Sequence, residues 1–249
     1  MNWKKRIPNT LTAFNLVAGL IAITQVLEGD LVVASLFIFL AALFDFLDGA
    51  AARLLDASSE LGKQLDSLAD LISFGVAPGL IMFQLISKGC DGSCNILEQL
   101  YITPYFALLI PVCSAFRLAK FNIDILQEEH FIGMPTPANA IFFASIPLVL
   151  FYQPNQLSLI PLDFFHDFFA NSRVLAILTV LFSYLLISDF RMFSMKFRRM
   201  SWKGNEMRYL FLGVSVVYLI LFAISAIPLI ILTYFVISMF FQKQIVRRG

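Results

Sequence analysis

Apolar runs of about twenty residues follow one another along this chain with short polar breaks between them, and that pattern leaves few folds open. Inside hydrocarbon every backbone N–H and C=O must be paired within the protein, which a helix does on its own. Hydrophobic residues make up 59% of the chain and charged ones 14%, against about 45–50% and 25% in soluble domains. The expected fold class is all-α, a polytopic transmembrane helical bundle. The 249 residues hold about eight spans of ~20 residues and leave no room for a soluble domain of ordinary size. A single integral membrane domain, 1–249, is therefore expected. The net charge of +1 says little about partners, and no nucleic acid is expected among them.

The spans are placed at about 10–27, 31–48, 65–86, 101–119, 137–152 and 174–187, with a closing hairpin at about 209–222 and 227–241. Pro8 and Asn9 mark the first start, the second helix continues to Leu55, and Asp56, Ser58 and Ser59 are capping candidates before the third. Pro78 predicts a kink in the third. Eight crossings put both termini on one side. With that side cytoplasmic, all but two of the 18 Lys and Arg lie inside, the exceptions being Lys88 and Arg173; this is a firm positive-inside pattern. Lys4, Lys5 and Arg6 before an apolar run resemble the start of a signal peptide, but no convincing small-x-small cleavage site follows, so this end is expected to be a retained span. Cys113 lies in an apolar run and reads as packing, while Cys90 and Cys94 share a short loop where a small disulfide is possible.

One stretch is too acidic for its setting. Asp45-Phe-Leu-Asp48-Gly49-Ala-Ala-Ala52-Arg53 is followed after eight residues by Gly62-Lys-Gln-Leu-Asp66-Ser-Leu-Ala-Asp70. On helices, Asp45, Asp48, Gly49 and Ala52 share one face, and Gly62, Asp66, Asp70 and Ser73 share another. Each face sets two carboxylates beside residues with little or no side chain, so a bulky ligand can approach the backbone closely. Four carboxylates brought together repel strongly, and divalent cations remove that penalty. Oxygen ligands without Cys or His favour Mg²⁺ or Mn²⁺ over zinc. Two such ions about 3.5–4 Å apart clamp a displacement at phosphorus, and Arg53 offers a fork suited to a phosphate oxygen. The topology places the acids near the cytoplasmic ends of their helices, within reach of a soluble nucleotide.

This pattern, Asp-x2-Asp-Gly-x2-Ala-Arg-x8-Gly-x3-Asp-x3-Asp, resembles the signature of the CDP-alcohol phosphotransferases, with all eight defining positions present. Further stretches resemble the phosphatidylserine synthase branch of that family: Pro8-Asn9-Thr10-Leu11-Thr12-x2-Asn15, Ile72-Ser73-Phe74-Gly75-Val76-Ala77-Pro78, Phe116-Arg117-Leu118-Ala119-Lys120-Phe121-Asn122 and Gly133-Met134-Pro135-Thr136-Pro137-Ala138-Asn139-Ala140. The resemblance covers about residues 7–140; Lys120 stands where many relatives have Arg, and Met134 where Leu is common. It implies transfer of a phosphatidyl group from CDP-diacylglycerol to L-serine, giving phosphatidylserine and CMP, in the inner membrane with the site facing the cytoplasm. A homodimer, membrane lipid as surroundings, a catalytic core of about 7–190 and a C-terminal hairpin of about 208–242 go with it.

By the same resemblance Asp45, Asp48, Asp66 and Asp70 hold two ions, Mg²⁺ or Mn²⁺. Gly49, Ala52, Arg53 and Gly62 line the CDP pocket, and Asp70 takes the proton of the serine hydroxyl. Serine's carboxylate needs a cation, for which Arg117 is the best-placed residue. Its ammonium needs acceptors, for which Asn122 and Asn139 are candidates. Two other readings stand beside this one. The same chemistry could serve glycerol 3-phosphate or inositol phosphate, which would need a further basic cluster such as Arg191 to Arg208. A cation-coupled transporter would instead place acids near the midplane and show an inverted repeat; here the acids lie near one surface and no repeat is visible.

Overall fold

The computed structural model describes residues 3–57, 59–89, 102–123, 131–151, 163–192 and 205–247. The Cys90–Cys94 loop, His130 and the basic residues Lys196, Arg198, Arg199 and Lys203 lie outside them. Among the described residues the regular structure is all-helical apart from a two-residue antiparallel pair. Helix α1 spans Trp3–Glu28, α2 Leu31–Leu54, α3 Glu60–Asp70 and α4 Ala77–Lys88, with a π-helical turn, Leu71–Val76, joining the last two. A 3-10 turn, Thr103–Leu108, leads into α5, Leu109–Ile123. Then come α6 Thr136–Phe151, α7 Asp163–Ala170, α8 Ser172–Ile187, α9 Glu206–Phe222 and α10 Ala226–Arg247. The short pair sets Phe131 against Met192 and Ile132 against Arg191, tying the segment before α6 to the one after α8.

Local chemistry accounts for the turns. Gly29, at φ +89°, reverses the chain after α1, and the Asp30 carboxylate caps α2 by accepting from the Val33 N–H at 3.0 Å. Of the capping candidates before α3, Ser59 takes the role, accepting from the Gly62 N–H at 3.1 Å; Ser58 lies outside the described residues. Helix α1 begins at Trp3, earlier than expected, with Pro8 inside it. A proline in the first turns sacrifices one intrahelical bond and leaves the rest of the helix intact. Around Pro78 the helix widens: the Ala77 N–H donates to the Ile72 carbonyl five residues back. That π turn gives the ring space without ending the span.

Among the described residues, five helical stretches are long and apolar enough to cross a membrane: Arg6–Glu28, Leu31–Leu54, Glu60–Lys88, Thr103–Ile123 and Glu206–Met239. The pair α7–α8, bent by 78°, makes a sixth if taken as one broken span. This is an integral membrane protein. Two features separate these numbers from the eight segments read in the sequence. Helix α6 has 16 residues, about 24 Å at 1.5 Å per residue, and it is sheathed by its neighbours. The last stretch is continuous in helical content but folds back at Ala223, where φ is 49°; Phe211 and Tyr234 then meet ring to ring at 5.7 Å.

Helix α6 is the axis of the bundle. Its small face, Ala140 and Ala144, packs into a cluster with Ala18, Ala22, Ala34, Ile38 and Phe74 from α1, α2 and the π turn. Its large face, Phe142, Phe143, Ile146 and Val149, packs with Ile110, Leu175, Phe182 and Phe211 on the other side. Phe142 stacks on Phe182 with centroids 4.1 Å apart. Leu36, Leu43, Val112, Ile177, Tyr184 and Val216 are exposed on the outer faces, as a lipid-facing belt requires.

Glycine brings α1 against the π turn: a Cβ on Gly19 would stand 2.9 Å from the Ser73 Cα. Gly19→Ala should therefore separate the two elements and cost about 1–3 kcal/mol, read as a lower melting temperature in detergent. Gly213 has nothing within 4 Å of its own Cβ position, so Gly213→Ala should melt at or above the parent's temperature because alanine is the better helix former.

Candidate active site

Helix α1 lies against both α2 and α3, and the acids project from the two helices it braces. Asp45 and Asp48 come from the last turns of α2, Asp66 and Asp70 from α3. Asp45, Asp48 and Asp66 each place one carboxylate oxygen so that all three lie within 4.8 Å of one another. Unit charges that close repel by about 3 kcal/mol or more per pair at an effective dielectric near 20. Asp48 is only 6% exposed, and the Asp66 Oδ1 is buried with no hydrogen-bond partner. An oxygen-only donor set with an orphaned buried acceptor and mutual repulsion fits a hard divalent cation.

Asp70 stands one turn beyond Asp66, outside that triple, and is 7% exposed. It remains within electrostatic reach of Asp45, Asp66 and Asp48. Its Oδ1 accepts from the Asn15 Nδ2 at 3.1 Å. The Asp48 Oδ2 accepts from the Thr12 hydroxyl at 2.6 Å. Thr12 and Asn15 stand in one of the stretches that carry the resemblance, but sequence reasoning assigned them no role. Two polar residues three apart in the otherwise apolar stretch 11–23, matched to two acids elsewhere, is the signal that could have found them.

Beside the triple lies a pocket of about 260 Å³, with Pro8, Asn9 and Thr12 on one wall and Asp48, Gly49, Ala52, Gly62 and Asp66 on the others. Gly62 is required by close approach, since a Cβ there would stand 2.9 Å from the Asn9 Oδ1. Gly49 leaves the opposite wall open, its nearest neighbour beyond the helix backbone being the Arg53 Nη1, 3.6 Å from a Cβ position. Arg53 itself is exposed and reaches back toward this wall without lining the pocket. Of the four residues read as nucleotide-binding, three line this one cavity and the fourth stands at its edge.

A second cavity, about 170 Å³, is cationic. Phe116, Arg117, Lys120 and Phe121 of α5 face Leu186, Ile187 and Ser188 at the end of α8. Arg117 donates from Nη1 to the Thr136 hydroxyl at 3.4 Å, its Nε is buried without a partner, and its charge reaches Asp70 and Tyr234. Lys120 pairs with Asp189 at 2.7 Å on the surface. Asn122 turns to another face of α5, donating to the Ser67 hydroxyl at 2.9 Å; its Oδ1 is buried and unpartnered. Asn139 is fully buried on α6, with both side-chain polar atoms unpartnered. Arg117 therefore faces α6 and Asn122 faces α3, so these two do not converge on one point.

Asp66→Asn keeps the shape of the triple and removes one of its charges. Without divalent ions this variant should melt higher than the parent. Its Mn²⁺ affinity, followed by electron paramagnetic resonance, should fall about ten-fold or more. Unchanged melting in chelator together with unchanged Mn²⁺ binding would show that the three carboxylates do not act as one site.

Comparison with known proteins meets this geometry. The family model for CDP-alcohol phosphatidyltransferase matches residues 5–185, from the start of α1 nearly to the end of α8. A CDP-diacylglycerol–serine O-phosphatidyltransferase of Bacillus subtilis is 36% identical over 189 residues, covering 74% of this chain and 88% of that protein. One of the same name from Mycobacterium leprae is 36% identical over 142 residues, covering 54% and 44%. An archaetidylserine synthase of Methanothermobacter thermautotrophicus is 34% identical over 149 residues, covering 59% of each. The chain thus spans most of the Bacillus relative and less than half of the mycobacterial one. With the family match taking in α1, both acid-bearing helices and the α5 wall of the cationic cavity, this chain belongs to the CDP-alcohol phosphatidyltransferase family.

Proposed function

We propose that this chain transfers the phosphatidyl group of CDP-diacylglycerol to L-serine, the transfer for which its relatives are named, and that CMP is the leaving group. The observation that carries the reading is a run of charged groups joining two unlike cavities. Asp48 and Asp66 line the first, Arg117 lines the second, and Asp70, one turn from Asp66, lies within electrostatic reach of Arg117. Asp45, Asp48 and Asp66, with Asp70 completing the set, would hold two Mg²⁺ or Mn²⁺ ions, which would supply charge neutralisation to the diphosphate. Gly49, Ala52 and Gly62 admit the nucleotide against bare backbone, and Arg53 meets a phosphate oxygen from the rim. Arg117 takes the serine carboxylate.

Asp70 receives the hydroxyl proton as the serine oxygen bonds to phosphorus, and the bond to CMP breaks with its electron pair leaving on CMP. An aspartate is a weak base for an alcohol, so the proton moves late, as attack proceeds. Asn122 and Asn139 each keep a buried, unpartnered Oδ1 that can receive a donor from the substrate; Asn122 is held toward α3 through its Nδ2. The charge pattern supports a cytoplasmic side for the site and both termini, and the reading takes the membrane to be the inner one. A single unit of about eight spans, core 7–190 and hairpin 208–242, acting as a homodimer, completes the reading.

Labelled serine and labelled glycerol 3-phosphate offered with CDP-diacylglycerol decide the acceptor: serine should enter lipid and glycerol 3-phosphate should not. The reverse outcome would overturn the serine assignment. Asp70→Asn should abolish turnover while CDP-diacylglycerol still binds. Arg117→Lys should raise the KM for serine about ten-fold with a smaller change in kcat, because a point charge replaces a planar fork.

A further inference from the structure

We infer that Thr12 and Asn15 are positioning residues that divide the acids between two tasks, Thr12 fixing Asp48 for cation binding and Asn15 fixing Asp70 for proton transfer. This rests on the reading of the site given above. Neither residue belongs to the acidic signature, and both come from α1, which supplies none of the four carboxylates.

The geometry is specific at each end. Thr12 is 3% exposed and Asn15 fully buried. The Thr12 hydroxyl has one proton and two acceptors in range, the Asp48 Oδ2 at 2.6 Å and the Pro8 carbonyl at 3.1 Å. The shorter, charge-assisted bond takes the proton. That bond occupies one oxygen of Asp48 and fixes the plane of its carboxylate. Asn15 is held at both ends: its own carbonyl accepts from the Ser73 hydroxyl at 3.0 Å, and its Nδ2 donates to the Asp70 Oδ1. Gly19, one turn further on, is what lets α1 come near enough for the Ser73 bond.

Asn15 also carries a cost that points to a function. Its Oδ1 is buried with no hydrogen-bond partner, a penalty that an apolar residue of the same size would not incur. A residue serving only to pack α1 against α3 gains nothing from an amide here. The amide supplies one N–H aimed at one oxygen of Asp70, which fixes the plane of the carboxylate and leaves Oδ2 for the acceptor's proton. Outer partners of this kind orient ligating and reacting groups, and their loss commonly costs about 10–100-fold in affinity or activity.

The two assignments separate in one experiment on the full chain in detergent, reading Mn²⁺ binding by electron paramagnetic resonance beside steady-state kinetics. Thr12→Val should raise the Mn²⁺ Kd and the KM for CDP-diacylglycerol about ten-fold, with kcat at saturating Mn²⁺ within about two-fold of the parent. Thr12→Ser should restore both. Asn15→Leu leaves the triple of Asp45, Asp48 and Asp66 intact, so it should raise the Mn²⁺ Kd and that KM less than Thr12→Val does while lowering kcat about ten-fold or more. If Asn15→Leu does not fold, Asn15→Ser carries the same prediction. Both variants moving the same parameters to the same extent, or neither moving any, would overturn the inference. Turnover by Asp70→Asn would overturn the site reading instead; an inactive Asp70→Asn beside an Asn15→Leu of parental kcat would sink the inference alone.

Discussion

Mutual repulsion among carboxylates inside a helical bundle is the constraint around which this molecule is arranged. Asp45, Asp48 and Asp66 present oxygens within 4.8 Å of one another, with Asp70 close enough to add its charge. No isolated helix pair would hold that arrangement, because α2 and α3 would swing apart to separate the charges. What holds it is apolar packing behind the acids. Ala18, Ala22, Ala34, Ile38 and Ala41 interlock α1 with α2, and Phe74 and Ala77 add the helix that continues α3. Burial on one side of these helices thus supports a destabilised array on the other, a trade typical of sites built for charged ligands.

Small residues set the distances in that packing. Alanines dominate the cluster around α1 and α2, while phenylalanines fill the one around α8 and the closing hairpin. The catalytic half is therefore tight, with backbones near enough for Thr12 and Asn15 to reach acids on two other helices. The other half is built from large rings that surround α6 and hold the end of α8 against the cationic cavity. The hairpin, outside the family match, still enters this half: Tyr234 is buried there and lies within electrostatic reach of Arg117.

Much of this was legible in the chain before any coordinates. Hydropathy required membrane helices, because lipid leaves backbone groups no other partner. The spacing of Asp45, Asp48, Asp66 and Asp70 required two faces of paired acids, because helical periodicity is local. Local rules were less reliable where geometry could flex. Pro8 looked like a helix start and lies within α1; Pro78 looked like a kink and is absorbed by a π turn. In both places the helix runs on through the proline, since one lost backbone bond is small beside what packing against neighbouring helices supplies.

Pairings across the bundle belong to another class. That Asp45, Asp48 and Asp66 gather while Asp70 stands a turn away with Asn15, and that Arg117 and Asn122 leave α5 on different faces, depends on how helices far apart in sequence rotate and approach. The chain by itself determined which residue types would sit on which stripe of which helix, since 3.6 residues per turn is a property of the backbone alone. Tertiary packing decided which stripes meet, since that depends on the summed fit of side chains contributed by several helices at once.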